Sequence, residues 1–213
     1  MAKEGIPFIT LFLVLALAFM ALAYLVGGAW LWSAAALSLL LAAFMAFFFR
    51  DPERECAMDE NVVVSPADGR VLSVAPLDPN ARESATQISI FLSPLDVHIN
   101  RSPIAGEIIE VVYKPGAFHV ASRDIASVEN EQNIVTVRGD RVTIIFRQIA
   151  GALARRVVCW KKKGDRVELG ERIGLMKFSS RMDVVMPREV EVLVRKGQRV
   201  VGGITVIGRV RRV

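Results

Sequence analysis

The stretch Gly174-Leu175-Met176-Lys177-Phe178-Ser179-Ser180-Arg181-Met182-Asp183-Val184-Val185-Met186-Pro187 decides how this chain is read. It predicts two short apolar strands, Arg172–Lys177 and Asp183–Met186, separated by a pair of serines. A serine hydroxyl in such a place can reach the carbonyl just before it. The plain alternative is a polar turn between two strands.

Outward from this stretch, the second part of the chain reads as β-rich. Further strands are predicted at Asn61–Val64, Gly69–Val74, Thr86–Leu92, His98–Ile99, Gly106–Tyr113, Asn133–Arg138, Arg141–Gln148, Arg155–Trp160, Glu189–Arg195 and Ile204–Val210. They are short, rich in Val and Ile, and bounded by Gly, Pro, Asp and Asn. Gly139-Asp140 is a hairpin turn. Sustained helical periodicity is missing, with a single turn or bend expected at Ile149–Leu153. Pro115–Asn130 reads as a surface loop of the kind that carries function.

The sequence also echoes itself. Lys163-Gly164-Asp165-Arg166-Val167 with Gly170 returns 33 residues later as Lys196-Gly197-Gln198-Arg199-Val200 with Gly203. Two copies are too few for a solenoid and fit a pseudo-symmetric barrel or sandwich. The pattern resembles lipoyl and biotinyl carrier domains. The expected fold is therefore an all-β domain of barrel-sandwich (lipoyl/biotinyl-like) architecture.

The first part is different. No charge occurs from Ile6 to Phe49. The arms 6–26 and 29–49 each have about the 20 residues needed to cross a bilayer. Gly27-Gly28 supplies the turn, so residues 1–50 are read as a transmembrane helical hairpin, followed by one domain over 51–213. A signal peptide would have a shorter apolar core and no second span. Arg50 and Arg54 favour a cytoplasmic domain on the cell (inner) membrane. The net charge of +5 suits an anionic membrane surface. No motif for nucleic acid accompanies it. Cys56 and Cys159 match no metal-ligand spacing and are read as free thiols, and no metal is expected.

Four segments occur in a telling order: Phe47-Phe48-Phe49-Arg50-Asp51-Pro52; Ser65-Pro66-Ala67-Asp68-Gly69-Arg70-Val71; Phe91-Leu92-Ser93-Pro94-Leu95-Asp96-Val97-His98-Ile99-Asn100-Arg101 with Pro103-Ile104-Ala105-Gly106; and Glu129-Asn130-Glu131-Gln132-Asn133. With the serine stretch, this set resembles the short-form phosphatidylserine decarboxylases. The resemblance implies a proenzyme cut between Ser179 and Ser180 into a β chain, 1–179, and an α chain, 180–213, which stay together as a heterodimer. It implies a pyruvoyl cofactor made from Ser180, in place of pyridoxal phosphate. That group would form a Schiff base with phosphatidylserine and release carbon dioxide, leaving phosphatidylethanolamine. The family carries Gly-Ser at the cut where this chain has Ser179-Ser180, so slower cleavage is expected.

Self-cleavage needs a base and donors for an oxyanion. Asp96 and His98 are two apart and would share a face of a strand, a carboxylate orienting an imidazole. His119 is the second candidate base, since the resemblance to long-form members implies an Asp-His-Ser triad whose histidine lies near that loop. Arg101 and Arg181 are candidates to hold the substrate phosphate. The competing reading is a membrane-tethered lipoyl- or biotinyl-like carrier or adaptor, never cleaved, with Met176-Lys177 at the modified position.

Overall fold

A computed structural model describes residues 1–56, 59, 61–78, 85–152, 157–178 and 180–211. The chain divides into two compact units, Met1–Pro52 and Glu53–Val213.

In the first unit a short 3-10 turn leads into α1 (Ile6–Val26), and Gly27 and Gly28, at φ 77° and 108°, turn the chain into α2 (Ala29–Phe48). Both helices are long and apolar enough to cross a membrane. They are built largely from Leu, Ala and Phe without a charge, and away from their ends the backbone groups pair within each helix. The side chains they bury are mostly small: Ala16 and Ala23 on α1, and Ala35, Ser38 and Ala42 on α2. Small residues let two helix backbones approach closely where solvent is lipid. The larger residues Leu17, Leu37 and Leu40 stay on the outside.

The second unit is mostly β-sheet. Its strands are β1 (Val62–Val64), β2 (Gly69–Pro76), β3 (Thr86–Leu92), β4 (Ile99–Arg101), β5 (Gly106–Lys114), β6 (Gln132–Arg138), β7 (Thr143–Ile149), β8 (Val157–Cys159), β9 (Arg166–Val167), β10 (Arg172–Met176), β11 (Ser180–Met186), β12 (Val190–Val192), β13 (Arg199–Val200) and β14 (Val206–Val210). One short helix, α3 (Ala126–Glu129), lies in the loop between β5 and β6. A large sheet has the order β13-β2-β3-β11-β7-β6-β5-β9, and two small sheets have the orders β1-β14-β12 and β4-β10-β8. Among the described residues these strands pair antiparallel.

These orders contain a two-fold repeat. The contiguous run β4 to β10 makes one half of the large sheet and one small sheet. The other half and the other small sheet come from β1 to β3 and β11 to β14, in the same order. One seven-strand unit is thus inserted between the third and fourth strands of the other. The starts of β1 and β4, of β2 and β5, and of β7 and β11 are each 37 residues apart. The echoed glycines share their geometry, Gly164 with Gly197 at φ 92° and 87°, and Gly170 with Gly203 at 73° and 75°. The centre of the sheet is the β11–β7 pair, where Asp183 lies opposite Arg147.

Alternation along the strands places Ile88, Ile90 and Leu92 of β3, Ile144 and Phe146 of β7, and Met182, Val184 and Met186 of β11 in one fully buried core. Gly69 and Gly106 occupy equivalent positions in the two halves. Each has a φ near 150°, and a Cβ there would lie 2.1 Å and 2.2 Å from the carbonyl oxygens of Phe91 and Arg138.

Several boundaries differ from expectation. β11 begins at Ser180, three residues before the predicted start, because its pairing with Leu92 extends the ladder to the end of β3. His98 precedes a strand instead of lying in one. The two-residue strands β9 and β13 are too short to leave a pattern, and α3 is a single turn inside the expected loop. Residues 153–156 of the predicted bend and strand lie outside the described residues.

Replacing Gly69 by Ala is expected to cost more than about 3 kcal/mol. Gly164→Ala, with the same handed backbone but open space around it, is expected to cost about 1 kcal/mol. Melting curves of the two variants, followed by β-sheet circular dichroism in detergent, check the difference.

Candidate active site

The topology gathers four chain segments at one end of the large sheet. Ser180 opens β11 opposite Leu92, which closes β3 and leads into the turn that carries Asp96 and His98. On the other side of β11, Arg181 lies opposite Ile149, the end of β7. Beyond it Ala150 N–H donates to the Glu131 carbonyl, at the end of the long β5–β6 loop. The fourth segment is the link from β10 to β11, the expected place of the cut. Ser179 itself lies outside the described residues.

The link enters the site under strain. Phe178 has φ +44°, the one positive value among the described non-glycine residues. For a bulky aromatic residue this conformation costs roughly 1–3 kcal/mol and persists only where the surroundings impose it. Two residues on, Ser180 is fully buried, and its Oγ has no hydrogen-bond partner among the described residues. It lies on the core side of β11 with Met182. A buried hydroxyl left without a partner costs about 1–3 kcal/mol and calls for a reason.

His98 is also fully buried. Its Nδ1 lies 2.9 Å from the backbone carbonyl of Asp96. A carbonyl only accepts, so Nδ1 carries the ring proton and Nε2 of the neutral ring carries the lone pair. The His98 carbonyl in turn accepts from Met176 N–H at 3.2 Å, which ties the histidine to the end of β10.

The expected carboxylate–imidazole pair is not formed. Residues 93–96 make a turn, closed by Asp96 N–H donating to the Ser93 carbonyl, and Asp96 lies outside any strand, so the two-residue spacing does not align the side chains on one face. The Asp96 carboxylate accepts from Ser93 N–H at 2.8 Å and from the Arg199 guanidinium at 3.0 Å. Asp96 orients His98 through its main chain. His119 sits in the β5–β6 loop, partly exposed, with Nε2 2.9 Å from a Glu129 carboxylate oxygen. Its backbone is held by Asn130, whose side chain accepts from His119 N–H and donates to the carbonyls of His119 and Ala150.

The two arginines expected to face phosphate are internal. Arg181, on the opposite face of β11 from Ser180, is 2% exposed. It donates to Asp183 at 2.7 Å, to Ser89 Oγ at 2.7 Å and to the Arg123 carbonyl at 3.3 Å. Asp183 is completely buried and also accepts from Ser127 Oγ and Gln87 Nε2. This network fastens the loop over the back of β11. Arg101 is nearly buried and donates to the Gly170 carbonyl at 2.9 Å. It lines a groove of about 470 Å³ with Arg54, Cys56, Glu171 and Arg172. Arg54 makes a two-pronged ion pair with Asp68 at 2.6 and 2.9 Å, which holds the start of the domain in place.

Sequence reasoning missed a second polar cluster. Gln148 of β7 donates through Nε2 to Asn100 Oδ1 at 2.8 Å and to the Val158 carbonyl at 3.2 Å. Asn133 Nδ2 approaches Gln148 Oε1 at 3.4 Å. Asn100 lies within the motif that carries His98, but its partner is 48 residues away, which no local pattern reveals. A cavity of about 600 Å³ lined by Gly106, Glu107, Arg138 and Asp140 lies at the other end of the sheet, away from these groups. Among the described residues, no group of three His, Cys, Asp or Glu side chains is placed to hold a metal ion. Both cysteines are free, and burial pushes the Cys159 thiol up, the largest of the influences on it.

The chain therefore joins a pair of apolar helices to a β domain in which a buried serine, without a hydrogen-bond partner among the described residues, sits at a strained strand entry. Comparison with known proteins agrees with the sequence motifs. The family model of phosphatidylserine decarboxylase matches residues 41–208. The phosphatidylserine decarboxylase proenzyme of Solibacter usitatus (strain Ellin6076) is 55% identical over 171 residues, 80% of this chain and 81% of the relative. The chain belongs to the phosphatidylserine decarboxylase family, and the uncleaved carrier reading finds no support in either comparison.

Breaking the ion pair behind the serine has a clear expected cost. Asp183→Leu strands a buried guanidinium and is expected to lower stability by about 3–5 kcal/mol. Combining it with Arg181→Met is expected to restore most of that loss, as read from melting midpoints in detergent.

Proposed function

We propose that this chain is a self-processing phosphatidylserine decarboxylase whose Ser180 attacks the carbonyl of Ser179. The observation that carries the reading is the buried Ser180 Oγ, without a partner among the described residues, directly after the strained Phe178. Strain in the ground state lowers the barrier to a step whose transition state relieves it.

His98 is the base. The hydrogen bond to the Asp96 carbonyl sets the tautomer that leaves Nε2 able to accept a proton. The Ser180 hydroxyl proton passes to that base as Oγ adds to the carbonyl carbon. The tetrahedral adduct collapses with cleavage of the C–N bond, and the proton goes to the departing amine. The product is an ester between residue 179 and the Ser180 side chain. Loss of the Ser180 α-proton then expels the carboxylate of residue 179 and leaves dehydroalanine. Tautomerisation and hydrolysis by one water give a pyruvoyl terminus and ammonia.

The surroundings fit that product. A pyruvoyl group is small and uncharged, and Ser180 sits among Leu92, Met182 and other buried residues with no charge on its own face of β11. When formed, the group supplies an electron sink for loss of carbon dioxide from the serine headgroup, the role pyridoxal phosphate plays elsewhere. The protein's own part is to hold β11, to keep bulk water out and to manage the proton at His98. His119, on the exposed loop beside Glu129, is the second candidate for proton delivery.

Cleavage leaves the small chain in place. β11 pairs with β3 along seven residues and with β7 along five, and residues 190–210 add three more strands. The two chains thus remain a heterodimer without a covalent link. The helical pair anchors the enzyme in the cell membrane, where its lipid substrate resides, and Arg50 and Arg54 favour the cytoplasmic side. Tethering raises the effective concentration of substrate at the interface. The matched glycine turns of the two half-sheets support kinship with barrel-sandwich domains.

Intact mass analysis of denatured wild-type protein tests the reading. Two chains meeting at Ser179/Ser180 are expected, the smaller carrying a terminus that reacts with carbonyl reagents. Ser180→Ala is expected to stay whole, and His98→Ala to slow cleavage by about 10²–10⁴-fold. A stable, full-length wild-type chain sinks the proposal.

A further inference from the structure

Besides Ser180 Oγ, the buried side-chain atoms of this unit with no hydrogen-bond partner among the described residues include Asn100 Nδ2, Gln132 Oε1 and Arg147 Nε, and of these Asn100 Nδ2 belongs to the motif that carries His98. Asn100 is completely buried, and its Nδ2 has no hydrogen-bond partner among the described residues. The orientation of its amide follows from the network. The Val158 carbonyl can only accept, so the Gln148 atom that faces it is the amide nitrogen. That nitrogen also meets Asn100, so the Asn100 atom it meets is the oxygen. The Asn100 NH2 group is therefore turned away from Gln148, held in one orientation with its donors unused. Such a group is a net cost to a folded protein unless something transient uses it.

Its place in the fold says what that is. Asn100 lies opposite Gly174 of β10, the strand that runs into the cut. Gln148 lies opposite Met182 of β11 and shares the core-side face on which Ser180 is the next residue. The Gln148–Asn100 bond thus joins the small sheet to the large one where the chain crosses from β10 to β11. Gly174 makes room for it, since a Cβ there would lie 2.7 Å from Gln148 Nε2.

We propose that Asn100 Nδ2 donates to the oxyanion formed on the carbonyl of residue 179 when Ser180 Oγ adds to it, with Gln148 as the residue that positions it. The inference rests on the self-cleavage reading above. A donor kept dry and oriented before the charge appears is worth far more than one recruited from water. It also needs no proton transfer of its own, so its contribution does not depend on pH.

The test is a pulse–chase of the full chain made by cell-free synthesis into lipid nanodiscs, with the cut fraction read on denaturing gels. Asn100→Ala is expected to slow cleavage about a hundredfold, by the same factor across about pH 6 to 9. Gln148→Met, which keeps the donor but loosens it, is expected to slow cleavage less. Melting midpoints of both changes are measured in a Ser180→Ala background, where no cleavage intervenes, and are expected to stay close to that parent. Cleavage of Asn100→Ala within about threefold of wild type overturns the assignment. So does a slowing that merely tracks loss of folded protein in both variants. A wild-type chain that stays whole overturns the self-cleavage reading and this inference with it, whereas a cut wild type beside an unaffected Asn100→Ala removes the inference alone.

Discussion

The seating of β11 between β3 and β7 is the constraint on which the rest of this domain depends. The strand is fully buried along its whole length, from Ser180 to Met186. One face supplies Met182, Val184 and Met186 to the core, and the other carries Arg181 and Asp183 into a closed polar network. Backbone pairing on both sides, apolar packing in front and an ion pair behind leave the strand no freedom to slip. A one-residue slip would exchange the two faces, placing a guanidinium in the core and a methionine against Ser89. Ser180 is thereby held where its first link upstream can be strained.

The same seating bears on the proposed cut next to the central strand. The seven-strand unit from β4 to β10 is inserted between β3 and β11, and the link from β10 to β11 is its return connection. Severing that link interrupts no strand, and the pairings on each side remain. In the other half the equivalent neighbours, β6 and β7, are joined by a tight turn over residues 139–142, closed by Gly139 N–H donating to the Val142 carbonyl, one residue later than the expected Gly139-Asp140 turn. The repeat thus has a closed hairpin on one side and the β10–β11 junction on the other, and of the two only the junction carries the serine pair.

Buried polar groups in this domain fall into two kinds. Arg181, Asp183, Ser89, Ser127 and Gln87 satisfy one another and fix the loop against the sheet. Such groups are structural, because a charge or donor with its partners in place has little left to offer a reaction. Ser180 Oγ and Asn100 Nδ2 belong to the other kind, buried atoms with no hydrogen-bond partner among the described residues, a set that also includes Gln132 Oε1 and Arg147 Nε. This contrast corrects the assignment of Arg181 to substrate: its charge is used at home. Asp96 shows the same logic, since its carboxylate closes a turn and only its carbonyl reaches His98.

The sequence by itself determined the division of the chain, the β class of its second part and the family to which it belongs. These follow from local physics: uninterrupted apolar runs of spanning length, Val- and Ile-rich segments bounded by turn residues, and a motif set whose order alone is specific. The 33-residue echo was legible for the same reason, as turn glycines are needed wherever the backbone takes a positive φ. What only the tertiary structure decided was pairing across distance. The insertion of one half in the other, the start of β11 at Ser180, the tie of Arg181 and Asp183 to the loop, and the 48-residue reach from Asn100 to Gln148 depend on which strands lie side by side. Hydrogen bonds and ion pairs between segments are set by three-dimensional proximity, and spacing along the chain carries no record of it. The turn at Asp96 and His98 is the sharpest instance, since two residues apart means one face only where the backbone is extended.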